Sequence, residues 1–306
     1  MRQILPALAL ACTLGAAARP DDARPDPETL QLASVAGVVT ALDTGEVLYR
    51  KHADLPVPIA SVTKLMTALV VLESGQPLDE WLTIVDWHDD LEKNAYSRLR
   101  IGSEARRREL LRIALMSSEN LATHVLAHHY PGGDTAFVAA MNARAEALGM
   151  RHAEFVDPAG LSPDNRATAG GLALLLKAAH AHPEIRDLST RYQHTARFRS
   201  PRYTLPYGNT NPLVASSRWR VHLSKTGYLA EAGRCLVLVA EAAERTVGMV
   251  LLNSFGTRTP LGDAGRVRRW LTTGRGGTVA GTARDYERRT REQLLDRQGE
   301  VRAGSR

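Results

Sequence analysis

The chain has 306 residues, 44% hydrophobic and 24% charged, which suits one large or two small soluble domains and excludes a disordered polymer. Its formal net charge of +6 favours an acidic partner such as a carboxylate-rich polymer, and an aromatic content of 5% argues against a stacking platform for nucleic acid. Beyond the N-terminus there is no run of about eighteen uninterrupted apolar residues, so no spanning helix is expected and membrane association is at most loose.

Arg2 precedes an apolar run from Ile4 to Leu14, then Gly15-Ala16-Ala17-Ala18 and the polar Arg19-Pro20-Asp21-Asp22. A charged start, a short apolar core and small residues form a secretory signal over residues 1–18, which predicts a periplasmic protein. Ala9-Leu10-Ala11-Cys12 loosely resembles a lipid-attachment box, but Ala9 sits where leucine is usual and cutting there leaves a very short core. Cleavage after about Ala18 removes Arg2, so +6 becomes +5, and it removes Cys12. Cys235 is then the sole cysteine, unable to form an intramolecular disulfide. It lies in the apolar run Cys235-Leu236-Val237-Leu238-Val239-Ala240, where it reads as a small buried hydrophobe.

Residues 19–32, rich in Pro and Asp, read as a flexible leader, and residues 33–274 as the folded domain. Val35–Ala41 and Glu46–Arg50 form a predicted hairpin around Leu42-Asp43-Thr44-Gly45. Ile59–Glu73 leaves almost no polar face, as a buried helix does, and Ser74-Gly75 and Pro77 stop it. Residues 91–193 read as a mainly helical insert, with helices over 106–116, 119–129, 134–148 and 172–181 and a loop over Asp157–Gly171. Strands follow over 194–199, 203–205, 221–226, 234–241 and 246–253, then an amphipathic helix over 260–271 and a charged flexible tail over 275–306 with room for a transient helix. The expected architecture is α/β of the α+β kind. A central antiparallel sheet, built from the first hairpin and the late strands, is flanked by helices with the helical block inserted beside it.

Three short motifs stand in this frame: Ser61-Val62-Thr63-Lys64, Ser118-Glu119-Asn120 and Lys225-Thr226-Gly227. Arginine supplies most of the positive charge, with lysine only at positions 51, 64, 93, 177 and 225. Arginine is effectively never deprotonated, whereas a buried lysine can be, so lysine at two motif positions points to a chemical requirement. Residues three apart share a helix face, so Lys64 reaches Ser61 and can take the proton of its weakly nucleophilic hydroxyl. Ser118 can relay that proton to a leaving amine, and Asn120 can hold Lys64 and the substrate backbone. Lys225 offers a charge for a substrate carboxylate, Thr226 a hydroxyl, and Gly227 a close approach. The backbone N–H groups of Ser61 and Tyr228 are the candidate oxyanion donors.

These motifs, with Pro58–Thr67, Leu115–Asn120, Phe155-Val156-Asp157-Pro158-Ala159-Gly160-Leu161, Lys225–Tyr228 and Gly233-Arg234-Cys235, resemble a low-molecular-mass penicillin-binding protein of the D-alanyl-D-alanine carboxypeptidase/endopeptidase family. The resemblance spans roughly residues 33–255. It implies a penicillin-binding/β-lactamase-like fold and acylation of Ser61 by a peptidoglycan stem peptide. It also implies inhibition by β-lactams, and that the protein needs no cofactor and no metal. Ser-Glu-Asn as the middle motif resembles the endopeptidase branch, which cuts D-alanyl cross-links; the carboxypeptidase is the alternative.

Three rival readings fit less well. A β-lactamase commonly deacylates through a Glu-x-x-Leu-Asn loop, and no such pentapeptide lies between the second and third motifs. A non-catalytic wall-binding module on the same scaffold would have lost the nucleophile or base, and both are present. His124 and His128 are one helical turn apart with His129 adjacent, but Val125 stands where His-Glu-x-x-His needs its glutamate, so exposed helix histidines are expected. Asp89-Asp90 reads as a solvated loop. Asn209-Thr210-Asn211 reads equally as cleft lining or as an Asx-type turn.

Overall fold

The computed structural model describes residues 25–86 and 96–304, with side chains as far as Asp296. The predicted signal peptide with Cys12, the first part of the leader, Asp89-Asp90 and the start of the helical insert lie outside the described residues.

β1 (Ala36–Ala41) and β2 (Val47–Lys51) form the first hairpin, and β3 (Val57–Pro58) leads through a 3-10 turn over Ala60–Thr63 into α1 (Lys64–Glu73). β4 (Trp81–Thr83) pairs with β5 (Glu104–Arg106), followed by α2 (Arg107–Ser117), α3 (Asn120–His128) and α4 (Gly133–Ala147). The short β6 (Arg166–Ala167) pairs back onto β3, ahead of α5 (Ala169–Ala181) and α6 (Pro183–Thr190). β7 (Gln193–Phe198) and β8 (Tyr203–Gly208) make a separate hairpin. The meander β9 (Val221–Leu229), β10 (Gly233–Ala242) and β11 (Arg245–Ser254) precedes α7 (Thr259–Thr273) and α8 (Gly281–Gly304).

The main sheet has the order β2-β1-β11-β10-β9, antiparallel throughout. Its central strands are apolar on both faces because both faces are covered. Along β10, Leu236, Leu238 and Ala240 join Val267 and Trp270 of α7, while Cys235, Val237 and Val239 join the larger core with α1 and α5. Each such Leu or Val contributes about 1.5–3 kcal/mol when fully buried. α1 is buried on almost every side, from Lys64 to Val71, because it is packed among the helices α2, α3, α4 and α5. No helix among the described residues is long and apolar enough to cross a membrane.

The structure differs from the sequence reading in four places. β7 and β8, expected among the late strands of the central sheet, pair only with each other and stand apart from it. The end of the leader is folded, because Leu30 and Leu32 insert beside Trp270 and Trp270 Nε1 donates to the Asp26 carbonyl at 2.9 Å. α5, assigned above to the helical insert, packs on β1 and β11 as a sheet helix. The charged tail forms α8, whose Ala283 and Leu294 are buried and whose Tyr286 hydroxyl donates to Asn253 Oδ1 at 2.7 Å. Apolar residues spread thinly among many Arg and Glu still find one inner face.

Candidate active site

The Ser61 turn is wedged where α1 meets β9, and its shape depends on two glycines. Gly160 has φ +76°, and a Cβ there would stand 2.0 Å from the Ala60 carbonyl oxygen. A Cβ on Gly227 would stand 3.0 Å from the Ile59 carbonyl oxygen and 3.2 Å from the Ser61 nitrogen. The backbone of β9 thereby lies against the Ser61 amide, with Tyr228 the next residue along.

One helical turn on, Lys64 is 1% exposed and its Nζ has three oxygen neighbours. Ser61 Oγ lies at 2.9 Å, Asn120 Oδ1 at 2.7 Å and the Ala159 carbonyl at 2.6 Å. Burial pushes this amine down from 10.5 to about 7, against the opposing pull of Asp157 and Glu119. Lys225, on β9, is equally buried, and its Nζ lies 3.0 Å from Ser118 Oγ and 2.8 Å from the Thr226 carbonyl. Its pKa is lowered well below the ordinary lysine value, first by burial and then by the charge of Lys64. The two amines therefore titrate as a pair that resists double protonation.

Ser118 sits at the C-cap of α2 with φ 61°, ψ 32°, a left-handed conformation that ends the helix and turns its side chain toward Lys225. Glu119 is the N-cap of α3, its Oε2 accepting from the Ala122 N–H at 2.6 Å. The middle letter of the second motif thus caps the helix that starts with Asn120, and burial raises its pKa. Thr226 Oγ1 lies 2.6 Å from Thr210 Oγ1. Asn209 and Asn211 are both turn-formers, with Asn209 Oδ1 accepting from the Asn211 N–H at 2.9 Å and Asn211 Oδ1 from the Leu213 N–H at 3.0 Å. Thr210, between them, lines the cleft.

Ser61, Ser118, Asn120, Thr226, Gly227 and Tyr228 all border one cleft of about 520 Å³, and Lys64 and Lys225 stand behind its wall. The sequence reading did not include the carbonyl of Ala159. Asp157 fixes it: Oδ1 accepts from the N–H groups of Ala159 at 2.7 Å and Gly160 at 2.6 Å, and Oδ2 accepts from Ser162 at 2.9 Å. Asn165 locks the same loop, its Oδ1 accepting from the Val156 N–H at 2.6 Å. The signal was present in Asp157-Pro158-Ala159-Gly160, but only as a turn. Cys235 is 1% exposed with its thiol pushed up to about 11 by burial, which makes it a packing residue.

A family model described as D-alanyl-D-alanine carboxypeptidase matches residues 22–256. The D-alanyl-D-alanine endopeptidase of Pseudomonas aeruginosa is 45% identical over 289 residues, covering 94% of this chain and 93% of that protein. The D-alanyl-D-alanine endopeptidase of Escherichia coli is 44% identical over 264 residues, covering 86% and 85%. Among solved structures, the Streptomyces K15 DD-transpeptidase superimposes with a TM-score of 0.73 at 29% identity, over 79% of this chain and 98% of that one. Penicillin-binding protein D2 of Listeria monocytogenes, in its cefotaxime-bound form, gives 0.68 at 29% identity over 80% and 99%. With its fold, its paired buried lysines and this match over most of its length, the chain belongs to the D-alanyl-D-alanine carboxypeptidase family of serine DD-peptidases.

Proposed function

We propose that this chain is an exported D-alanyl-D-alanine endopeptidase that hydrolyses D-alanyl cross-links of peptidoglycan through an acyl-enzyme on Ser61. The observation that carries the reading is the set of partners around Lys64. Asn120 Oδ1 and the Ala159 carbonyl only accept hydrogen bonds. A neutral Lys64 gives its two protons to them and turns its lone pair to Ser61, whose hydroxyl then donates to Nζ. That is the direction in which the proton must move.

As Ser61 Oγ attacks the carbonyl of the penultimate D-alanine, Lys64 takes the hydroxyl proton. The N–H groups of Ser61 and Tyr228 receive the developing oxyanion; one such donor is typically worth about a hundredfold or more in rate. Lys64 passes that proton through the Ser118 hydroxyl to the departing amine as the C–N bond breaks, which leaves Lys64 neutral again, while Lys225 and Thr226 hold the substrate carboxylate. Water then attacks the ester and gives a proton to Lys64, which returns it to Ser61 Oγ as the ester C–O bond breaks, so the acid product leaves with Ser61 and Lys64 restored. β-Lactams would acylate the same hydroxyl. The signal-like N-terminus supports action in the periplasm, where the cross-links are.

The endopeptidase assignment is supported by the relatives at 45% and 44% identity, both so named. Glu119 supports it only indirectly, since its carboxylate is spent on capping α3. Carboxypeptidase action through the same acyl-enzyme is the second reading, favoured by the family description. Digestion of purified cross-linked muropeptide dimers separates them. Dimers falling to monomers is the expected result; shortening of pentapeptide monomers with dimers left intact would overturn it.

A further inference from the structure

At the other end of α3 from Asn120 stands a group of side chains that the acyl-transfer site does not use. His124 and His128, one turn apart, both turn Nδ1 toward the carboxylate of Asp134 in the first turn of α4. His124 Nδ1 lies 3.6 Å from Asp134 Oδ1, and His128 Nδ1 lies 3.6 Å from Asp134 Oδ2. Those separations are too long for hydrogen bonds. They are close to the roughly 3.3 Å between neighbouring ligand atoms around a tetrahedral ion held at about 2.0–2.1 Å. One ligand atom from each residue fits within a mutual distance of 4.8 Å.

A second observation points the same way. Asp134 Oδ1 is shut off from solvent and accepts no hydrogen bond. A buried carboxylate oxygen without a donor is costly, and a cation relieves that cost. The turn between the helices carries Asp134 back over α3, with Gly132 at φ +88° where a Cβ would meet Ala136 Cβ at 2.7 Å. His128 and Asp134 are each 44% exposed, which leaves a route for an ion. His129 takes no part, because its Nε2 lies 2.9 Å from the Thr83 carbonyl.

We propose that His124, His128 and Asp134 bind a divalent transition-metal ion of the zinc type, clipping α3 to α4. Two imidazoles and one carboxylate suit zinc rather than the oxygen-seeking magnesium or calcium, and the fourth position is left to water. The site takes no part in acyl transfer. His124 is only about 6 Å of helix rise beyond Asn120, so the ion steadies the helix that holds Asn120 Oδ1 against Lys64. The sequence hid the site because its third ligand lies past the inter-helix turn, and the missing glutamate in His-x-x-x-His argues only against a metal hydrolase.

The test is calorimetric titration of ZnCl2 into the whole exported chain after chelator treatment, with melting temperature and the visible spectrum of added Co2+ as parallel readouts. The expected result is one ion per chain, a melting temperature that rises with zinc, and Co2+ bands of tetrahedral intensity. Asp134→Asn and His128→Ala, checked for folding by circular dichroism, should each weaken binding at least tenfold. Absence of saturable binding would overturn the proposal, as would unchanged affinity in the folded variants. Should a variant not fold, the Co2+ spectrum of the unaltered chain decides: a weak octahedral spectrum like that of the aqueous ion would also overturn it.

Discussion

Acylation of Ser61 should carry the titration of Lys64. Burial brings that amine from 10.5 to about 7, so at pH 7 about half of it is neutral and able to take the serine proton. At pH 5 the neutral fraction is about 1%, and the second-order rate of acylation by a fluorescent penicillin should be about a hundredth of its plateau. The rate should therefore rise tenfold per unit through the acid limb and level off above about pH 7. Lys225 is likewise held well below the ordinary lysine range by burial and by the charge of Lys64, so the observed midpoint belongs to the pair of amines. Glu119 gives a sign test. Its charge raises the Lys64 pKa, so Glu119→Gln should move the acid limb to lower pH while the amide oxygen still caps the Ala122 N–H. Lys64→Arg keeps a cation in place but cannot deprotonate, and should lose about 10²–10⁴-fold in acylation rate. A midpoint in the ordinary lysine range, an upward shift in Glu119→Gln or near-normal labelling of Lys64→Arg would refute the general-base assignment.

Gly160→Ala forces a side chain to within 2.0 Å of the Ala60 carbonyl at a positive φ, so both stability and Ser61 geometry should suffer. A loss of about 2 kcal/mol or more is expected, seen as a melting temperature lower by several degrees together with slower penicillin labelling. Trp270→Ala removes the indole that joins α7, the sheet and the folded leader, and should cost about 3–5 kcal/mol in urea unfolding while the cleft keeps its labelling per folded molecule. Cys235, buried and with its thiol pushed up to about 11, should not react with a thiol reagent at neutral pH until the chain unfolds; rapid reaction of the native protein would contradict its placement. The paired lysines also tie stability to pH. Unfolded lysines hold protons between about pH 7 and 10 that the buried Lys64 gives up, so stability should rise across that window, and less steeply in Lys64→Met.

The sequence pattern was most informative where periodicity or a short motif is local. The strands of the meander and the helices α2, α3 and α4 fall within a few residues of their expected positions, because alternation and one-sided apolar spacing each report a single element. The leader and tail hide their packing from the sequence for a shared reason. Leu30 and Leu32 sit in a polar, proline-rich context, and Ala283 and Leu294 lie in a run of Arg and Glu, so neither segment shows a dense apolar face. What orders them is a surface elsewhere in the chain: Trp270 for the first, and Asn253 for the tail through Tyr286. The layer of α5 is not legible in the sequence, because its apolar residues reveal a buried face without naming β1 and β11 as the partner.

The same distinction runs through the cleft. Ser61 and Lys64 announce themselves because the chemistry needs those side chains at a helical spacing. The carbonyl of Ala159 does not, because any residue supplies a carbonyl and only the loop's path places it 2.6 Å from Lys64. Yet this oxygen is what makes the lysine a directed base. With only one acceptor-only neighbour, a neutral amine could turn either its second proton or its lone pair toward Ser61; with two, its lone pair has one place to go. Asp157 then has opposing effects on one atom. Its charge raises the Lys64 pKa, while its grip on the Ala159 and Gly160 amides builds the turn that orients the neutral amine. A substitution at Asp157 should thus lower the pKa of the base and still slow acylation, because orientation is lost along with the charge.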